Sequence, residues 1–275
     1  MKRSVLAAVL ALSAAAATGC GISTQQEVEM GASYAQQINS QLPIIQDPEV
    51  MQYINVIGDS LARVADERNL DWHFFVVNSP EVNAFAVPGG YIYVNRGLIE
   101  RAPVMSQLAG VLGHEIGHVT NRHTVEQMKK EQGANIGLTV FCVLQPAICN
   151  NQAAGAAIQL GGGAIFAKFS RNAESEADAS GVTYTTRAGI NPNGIPEMFE
   201  ILLEERRQRP AGVEAWFSTH PLEEDRIANT RALIAKIDPA IIATTRMDSQ
   251  RYQEFRRRIA SLPPAPPQRM PSGDR

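Results

Sequence analysis

Two histidines four residues apart, with a glutamate directly after the first, constrain this chain most, because they lie inside an apolar helical segment. The segment covers residues 108–119 and contains the run His114-Glu115-Ile116-Gly117-His118. Residues four apart share one face of a helix, so both imidazoles can bind one Zn²⁺ at the usual distance of about 2.0–2.1 Å. Glu115 then lies beside the metal, in the position of a general base rather than of a ligand. The segment is therefore predicted to be a helix that carries a metal site.

A zinc site of this kind needs a third protein ligand and an open position for water. In the extended form of the motif that ligand is a third histidine, but its position holds Thr124 and His123 falls one residue short, so we expect His123 to be a flanking polar contact. The alternative is a carboxylate on a second helix, where Glu174 and Asp178 share one face. One of the two can bind the metal while the other orients a ligating imidazole. Glu176 points away from this face and is expected to be solvated.

Composition excludes several classes of protein. The 275 residues are 44% hydrophobic and 19% charged, which is enough apolar material for a core and rules out wholesale disorder. A net charge of −3 and a pI near 6.0 leave no broad basic field, so we expect no nucleic-acid partner. Three cysteines are too few for a disulfide scaffold or a cysteine-based zinc ribbon. A mean hydropathy of −0.15 argues against a polytopic membrane protein.

The first twenty residues have the pattern of a lipoprotein signal peptide. Lys2 and Arg3 precede an apolar run over residues 5–17, which is too short to span a bilayer comfortably. Small residues directly before Cys20 resemble the bacterial lipobox, so residues 1–19 are predicted to be removed and Cys20 to carry lipid. Gly21 follows the cysteine instead of the Asp that would indicate inner-membrane retention. We therefore expect an outer-membrane lipoprotein that faces the periplasm, if the host is Gram-negative.

Hydrophobic patterning predicts one α+β domain over residues 20–261 with a Pro-rich disordered tail over 262–275. Strands are predicted at 72–77, 85–87 and 91–94, and the turn residues between the last two predict a hairpin. An Asp-Pro pair at 47–48 is typical of a helix start. The remaining helices are predicted near 25–42, 103–130, 171–188, 195–209, 221–236 and 249–260, with Pro210 as a break.

The pattern His-Glu-x-x-His at 114–118 with Glu-x-x-Ala-Asp at 174–178 resembles metallopeptidase family 48, the zinc peptidases related to the CAAX prenyl protease and HtpX. The lipobox, the run Asn83-Ala84-Phe85-Ala86 before Pro-Gly-Gly, and Ser218-Thr219-His220-Pro221 are similar to periplasmic lipoprotein members of that family. The resemblance covers about residues 27–236. It implies a mainly helical, minigluzincin-like zincin with a small sheet beside the active-site helix, one Zn²⁺ per chain, and endoproteolysis of misfolded or unassembled envelope proteins.

The same resemblance implies the roles of the site residues. The zinc ligands are His114, His118 and Glu174, and a zinc-bound water attacks the peptide carbonyl with Glu115 as general base. Asp178 is expected to orient the imidazole of His114.

His220 and Arg226 are implied to act beside the metal. A hydrolytic zinc site needs a donor for the oxyanion, and the ionised carboxylates cannot donate. By resemblance His220, at a predicted helix start, steadies the tetrahedral intermediate, and Arg226 anchors the carboxylates or the loop that bears His220. The alternative is a histidine that caps local backbone and an arginine in a surface ion pair.

Substrate is expected to add as a strand to an exposed sheet edge. The candidates are residues 83–87, with Asn83, Ala84, Phe85 and Ala86 as the named contacts, and residues 91–95, and the resemblance places such an edge above the metal. The alternative for each residue is plain sheet core.

The cysteines Cys142 and Cys149 lie seven apart and would face an oxidising compartment, so a disulfide is predicted, with two buried thiols as the alternative. They fall in the segment 133–169, rich in Ala and Gly, which is interpreted as packed helices with a mobile loop or, alternatively, as a segment that touches the membrane. The expected partners are unfolded or misassembled protein substrates, the membrane through Cys20, and outer-membrane assembly machinery or a partner protease. The alternative function is an outer-membrane protein assembly factor or chaperone with a seldom-used protease site.

Overall fold

The computed structural model describes residues 22–134, 168–221 and 224–264. Over these residues the chain is mainly helical with one three-stranded mixed sheet, which confirms the predicted α+β class. The signal peptide, Cys20, Cys142, Cys149 and all but the first three residues of the predicted tail lie outside the described residues, so these assignments stay predictions. None of the helices in the described ranges is long and apolar enough to cross a membrane.

Most of the strands and helices lie within a residue or two of their predicted bounds. The strands are β1 (His73–Val77), β2 (Ala84–Val87) and β3 (Tyr91–Asn95). The helices are α1 (Thr24–Gln41), α2 (Pro48–Ala65), α3 (Arg96–Arg101), α4 (Met105–Thr120), α5 (His123–Ala134), α6 (Arg171–Arg187), α7 (Gly194–Gln208), α8 (Pro210–Thr219), α9 (Glu224–Ile234), α10 (Pro239–Thr244) and α11 (Gln250–Ser261).

The predicted hairpin is confirmed, because β2 and β3 pair antiparallel around the turn that precedes Tyr91. Gly90 has φ +102°, a conformation that side-chain-bearing residues rarely adopt, and a Cβ there would meet the Asp71 carbonyl oxygen at 2.9 Å. β1 pairs with β3 in parallel, which gives the strand order β1-β3-β2. Of the two predicted substrate edges, residues 91–95 therefore lie in the middle of the described sheet, and that candidate is wrong. β2 lies at an edge of this sheet.

The single helix predicted over 103–130 is wrong, because the chain turns sharply after α4. Arg122 adopts φ +59°, which interrupts the helical hydrogen-bond ladder, and α5 begins at the next residue. The guanidinium of Arg122 lies 2.8 Å from the buried carboxylate of Glu27 and donates to the Ile22 carbonyl oxygen at 2.5 Å. A contact with a residue 95 positions earlier thus fixes this turn, and local sequence patterning could not show it.

Three short helices, α3, α8 and α10, were not predicted. The predicted break at Pro210 is confirmed, because α7 ends at Gln208. Pro210 itself begins α8, since proline is well tolerated in the first helical turn. Pro239 begins α10 in the same way, after an N-cap from Asp238.

The motif helix α4 is buried from Met105 to Val119 and packs against α2, α6 and α7. Leu108, Leu112 and Ile116 on α4 are fully buried. Its contact with α6 is unusually close, because Gly117 faces Ala177 and a Cβ on Gly117 would meet the Ala177 backbone at 3.1 Å. This close approach brings the carboxylates of α6 within reach of the α4 histidines.

Candidate metal centre

The two motif histidines converge at one point inside the protein. His114 and His118 lie four residues apart on α4, and each is only 1% exposed. Their Nε2 atoms are 3.0 Å apart. The predicted common helix face is thus present, and both ring nitrogens point towards the same small volume.

Helix α6 supplies two carboxylates to this point, as its spacing predicts. Oε1 of Glu174 lies 3.3 Å from His118 Nε2, and its Oε2 lies 3.7 Å from His114 Nε2. Oδ1 of Asp178 lies 2.9 Å from the other ring nitrogen of His114, Nδ1. Glu174 therefore faces the shared volume, whereas Asp178 faces the back of one imidazole.

A third imidazole enters the same group from the end of α8. His220 follows this helix as its C-cap residue instead of only preceding the next one. Its Nδ1 lies 3.2 Å from Glu174 Oε1 and 3.3 Å from His114 Nε2, and its ring stacks on Trp216 with centroids 4.6 Å apart. The ligand atoms of His114, His118, Glu174 and His220 all lie within 4.8 Å of one another. The sequence predicted His220 near the metal but not among its potential ligands.

Arg226 ties the carboxylates together from α9. Its Nε and Nη2 donate to the two oxygens of Asp178 at 2.8 and 2.7 Å, and its Nη1 donates to Glu174 Oε2. Nη1 also donates to the Pro221 carbonyl oxygen at 3.0 Å, in the loop beside His220. Arg226 is itself buried, with its guanidinium 4.7 Å from the ring centre of Phe199. This cation thus holds α6 and the His220 loop in one arrangement.

Glu115 stands apart from these hydrogen bonds although it is completely buried. Neither carboxylate oxygen has a hydrogen-bond partner among the described residues. Oε1 of Glu115 lies 3.5 Å from Nε2 of His220. A buried carboxylate without a partner is costly and usually marks a functional site. Imidazole nitrogens with one carboxylate oxygen are the donor set of catalytic zinc sites. The residues present therefore fit a divalent metal with Glu115 beside it.

The residues of this centre lie within the match to a known protein family. The profile described as peptidase family M48 matches residues 48–234, a span that contains every residue of the centre described above. The chain belongs to peptidase family M48.

Curated M48 relatives agree with this assignment. The "Beta-barrel assembly-enhancing protease" of Escherichia coli strain K12 is 33% identical over 237 residues, which is 82% of this chain and 47% of the relative. The "Mitochondrial metalloendopeptidase OMA1" of Arabidopsis thaliana is 32% identical over 61% of this chain and 33% of its own length. "Metalloprotease YcaL" of E. coli K12 is 28% identical over 86% of this chain and 99% of its own length. The chain thus spans about half the length of the assembly-enhancing proteases it matches.

Burial and charge set the protonation of the M48 centre. Burial raises the pKa of Glu115 and lowers the pKa of His118 well below its ordinary value. For Glu174 burial alone would raise the pKa, but the imidazoles of His220 and His118 lower it well below the usual range. For His220 burial alone would lower the pKa, but the carboxylates of Glu174 and Glu115 raise it. These shifts favour an ionised Glu174 and a Glu115 that binds a proton more readily than an exposed glutamate does.

Phe169 was not predicted beside His118, whereas His123 was predicted as a flanking polar contact and Glu176 as a solvated carboxylate. Phe169 stacks on the His118 ring with centroids 3.9 Å apart, and its backbone N–H donates to the Thr219 carbonyl oxygen at 3.0 Å. His123 Nδ1 lies 2.9 Å from His118 Nδ1, and Glu176 Oε2 lies 3.0 Å from His123 Nε2. Glu176 is exposed as predicted, but it is not merely solvated, since it contacts His123. The sequence signal for the contacts of His123 and Glu176 was a histidine just after the His-Glu-x-x-His motif together with a third carboxylate on α6.

The predicted substrate strand lies at an edge of the described sheet, but it is closely packed. All four residues of β2 are buried. The side-chain oxygen of Asn83, just before β2, is buried without a hydrogen-bond partner among the described residues. Substrate binding along Asn83, Ala84, Phe85 and Ala86 stays a prediction.

Proposed function

We propose that this M48 metallopeptidase is a zinc-dependent endopeptidase that hydrolyses misfolded or unassembled proteins of the cell envelope. The observation that carries the proposal is the buried convergence of His114, His118 and Glu174 beside the unpartnered carboxylate of Glu115. The envelope substrate class is supported by relatives named beta-barrel assembly-enhancing protease.

Each residue of the centre has a proposed role in hydrolysis. His114, His118 and Glu174 would hold zinc, which supplies a water of lowered pKa and polarises the substrate carbonyl. Glu115, whose pKa burial raises, accepts a proton from the attacking water and passes it to the leaving amine nitrogen. Asp178 accepts a hydrogen bond from Nδ1 of His114 and so leaves the Nε2 lone pair free for metal.

His220 is proposed to stabilise the negative charge that develops on the carbonyl oxygen of the substrate. A histidine ring nitrogen that carries a proton can donate, and the position of His220 beside both Glu115 and Glu174 supports a role next to the reacting atoms. Arg226 holds the loop that follows His220 and pairs with Glu174, so it positions both.

Replacing His220 by Ala is expected to lower kcat by about 10²–10³-fold with zinc retained, the usual effect of removing one oxyanion donor. KM should change much less, because the interaction is made chiefly in the transition state. Steady-state kinetics and metal analysis measure both, with His73→Ala as the control, since His73 is a partly exposed histidine of β1. Loss of zinc, or a faster enzyme, would instead identify His220 as a fourth ligand that occupies the substrate position.

The proposed function is tested by metal-dependent cleavage of unfolded proteins. Purified protein is stripped of metal with a chelator, reloaded with Zn²⁺, and incubated with denatured outer-membrane β-barrel protein, the same protein folded in detergent, and casein. We expect the zinc-loaded protein to cut the denatured barrel and casein, and the stripped protein to cut neither. Cleavage that persists without metal, or fully loaded protein that cuts nothing, would contradict the proposal.

A second function is favoured by the names of the same relatives, which describe enhancement of assembly. If the chain acts mainly as an assembly factor, a variant without peptidase activity should still rescue a strain that lacks the gene. Failure of that rescue would favour proteolysis as the function.

A further inference from the structure

A chain of three side chains runs from the protein surface to the back of His118. Nδ1 of His118 lies 2.9 Å from Nδ1 of His123, and Nε2 of His123 lies 3.0 Å from Oε2 of Glu176. Solvent exposure rises along these three side chains. His118 is buried, the His123 side chain is 7% exposed, and the Glu176 side chain is 65% exposed.

Only one distribution of protons makes both contacts hydrogen bonds while leaving His118 able to bind metal. The Nε2 lone pair of His118 faces the ligand group, so a neutral His118 carries its proton on Nδ1. His123 must then accept at Nδ1, which places the proton of a neutral His123 on Nε2. That N–H in turn donates to the carboxylate of Glu176. The reverse arrangement would protonate His118 Nε2 and abolish its use as a ligand.

The two motif histidines are thus supported in parallel ways. His114 donates from Nδ1 directly to Asp178, whereas His118 donates from Nδ1 to an imidazole that donates to a carboxylate. The three carboxylates that contact the motif histidines or His123 are Glu174, Glu176 and Asp178, which lie within five consecutive residues of α6. We propose that His123 and Glu176 are positioning residues that fix the tautomer and orientation of His118 for metal binding, an inference that rests on the proposed zinc site.

The fold explains why an imidazole is needed on this side. α5 starts at His123 directly after the left-handed residue Arg122, and this turn places His123 back against the end of α4. Glu176 lies on the outer part of α6 and meets His123 there, whereas Asp178 meets His114 directly. His123 therefore spans the gap between the exposed carboxylate and the buried ligand.

The role of His123 is tested by zinc affinity, measured by chelator competition on the full chain. His123→Ala removes the acceptor and is expected to weaken zinc binding by about 10–100-fold, as is typical for partners of ligating histidines. His123→Asn is the conservative variant, because its Oδ1 occupies the position of Nδ1 and can accept from His118. We expect His123→Asn to bind zinc within a few-fold of the natural protein. Equal affinity of the natural protein and His123→Ala, with secondary structure retained, would overturn the proposal.

The role of Glu176 is tested by its dependence on His123. Glu176→Ala should weaken zinc binding in the natural background but not further in the His123→Asn background, since Asn has no donor at the Nε2 position. The matched control is Glu67→Ala, which removes an exposed carboxylate elsewhere. An equal loss from Glu176→Ala in both backgrounds would show that Glu176 does not act through His123, and would overturn that part.

Nitrogen-detected NMR of the histidine rings in the zinc-loaded protein reads the tautomers directly. We expect the proton on Nδ1 of His118 and on Nε2 of His123. A proton on His123 Nδ1 would overturn the proposed hydrogen-bond relay from His118 through His123 to Glu176, called the relay below. These measurements need no proteolysis and so separate the two proposals. A natural protein that binds no zinc overturns the proposed function together with the relay, whereas tight zinc binding that is indifferent to His123 overturns the relay alone.

Discussion

Replacing Glu115 by Gln is expected to leave zinc bound and to lower kcat on denatured protein by about 10²–10⁴-fold, the usual contribution of a general base. Glu115 is not among the side chains whose ligand atoms cluster for metal, so zinc content should not change. The amide has the volume of the carboxylate but cannot accept the proton of the attacking water. Metal analysis and the rate of peptide-bond cleavage give the two readouts.

The structure adds an expectation for stability in the same variant. Glu115 is fully buried with no hydrogen-bond partner among the described residues, and burial raises its pKa. A neutral amide avoids the cost of burying a charge, so the metal-free variant should be at least as stable as the natural protein. Glu197→Gln is the control, since it makes the same change at a half-buried carboxylate that pairs with Gln107 away from the centre. Normal cleavage by Glu115→Gln would remove Glu115 from the role of base.

Replacing Glu174 by Ala is expected to abolish stoichiometric zinc binding and, with it, activity. The substitution removes the carboxylate whose Oε1 faces His118 and whose Oε2 faces His114. It also leaves the buried guanidinium of Arg226 with only Asp178 as an acidic partner among the described residues. Removal of one member of a buried ion pair costs about 3–5 kcal/mol, and the remaining pair places this variant near the lower end. Metal analysis and thermal unfolding of the metal-free protein measure the two losses separately.

A loss of stability must not be mistaken for a loss of the site. Glu205→Ala serves as the control, because Glu205 is a half-buried partner of Arg101 in a different part of the fold. We expect that variant to lose stability but to retain zinc. A Glu174→Ala protein that retains one zinc per chain would show that Glu174 is not a ligand.

Local sequence determined much of this protein. Turn residues and alternating strands predicted the hairpin, and an Asp-Pro pair predicted the start of α2, because these signals act over a few residues. The four-residue spacing of His114 and His118, and of Glu174 and Asp178, placed each pair on one helix face because helical geometry depends on neither fold nor partner. The motifs also indicated the family to which the chain belongs.

Only the tertiary structure decided which atoms meet. Glu174 faces the metal group and Asp178 faces His114 because α4 and α6 approach closely at Gly117, a contact that helix spacing alone does not specify. His220 joins the ligand group because α8, which was not predicted, ends there.

The turn at Arg122 shows the same limit of local reasoning. Its left-handed backbone is held by Glu27, which lies on α1 far from it in the chain, and the periodicity of residues 103–130 instead predicted one continuous helix. That turn places His123 behind His118 and within reach of Glu176. The sequence by itself thus determined most of the longer helices and the residue types of the centre. The tertiary contacts between distant segments decided how those residues face one another, because such contacts leave no signal in local periodicity.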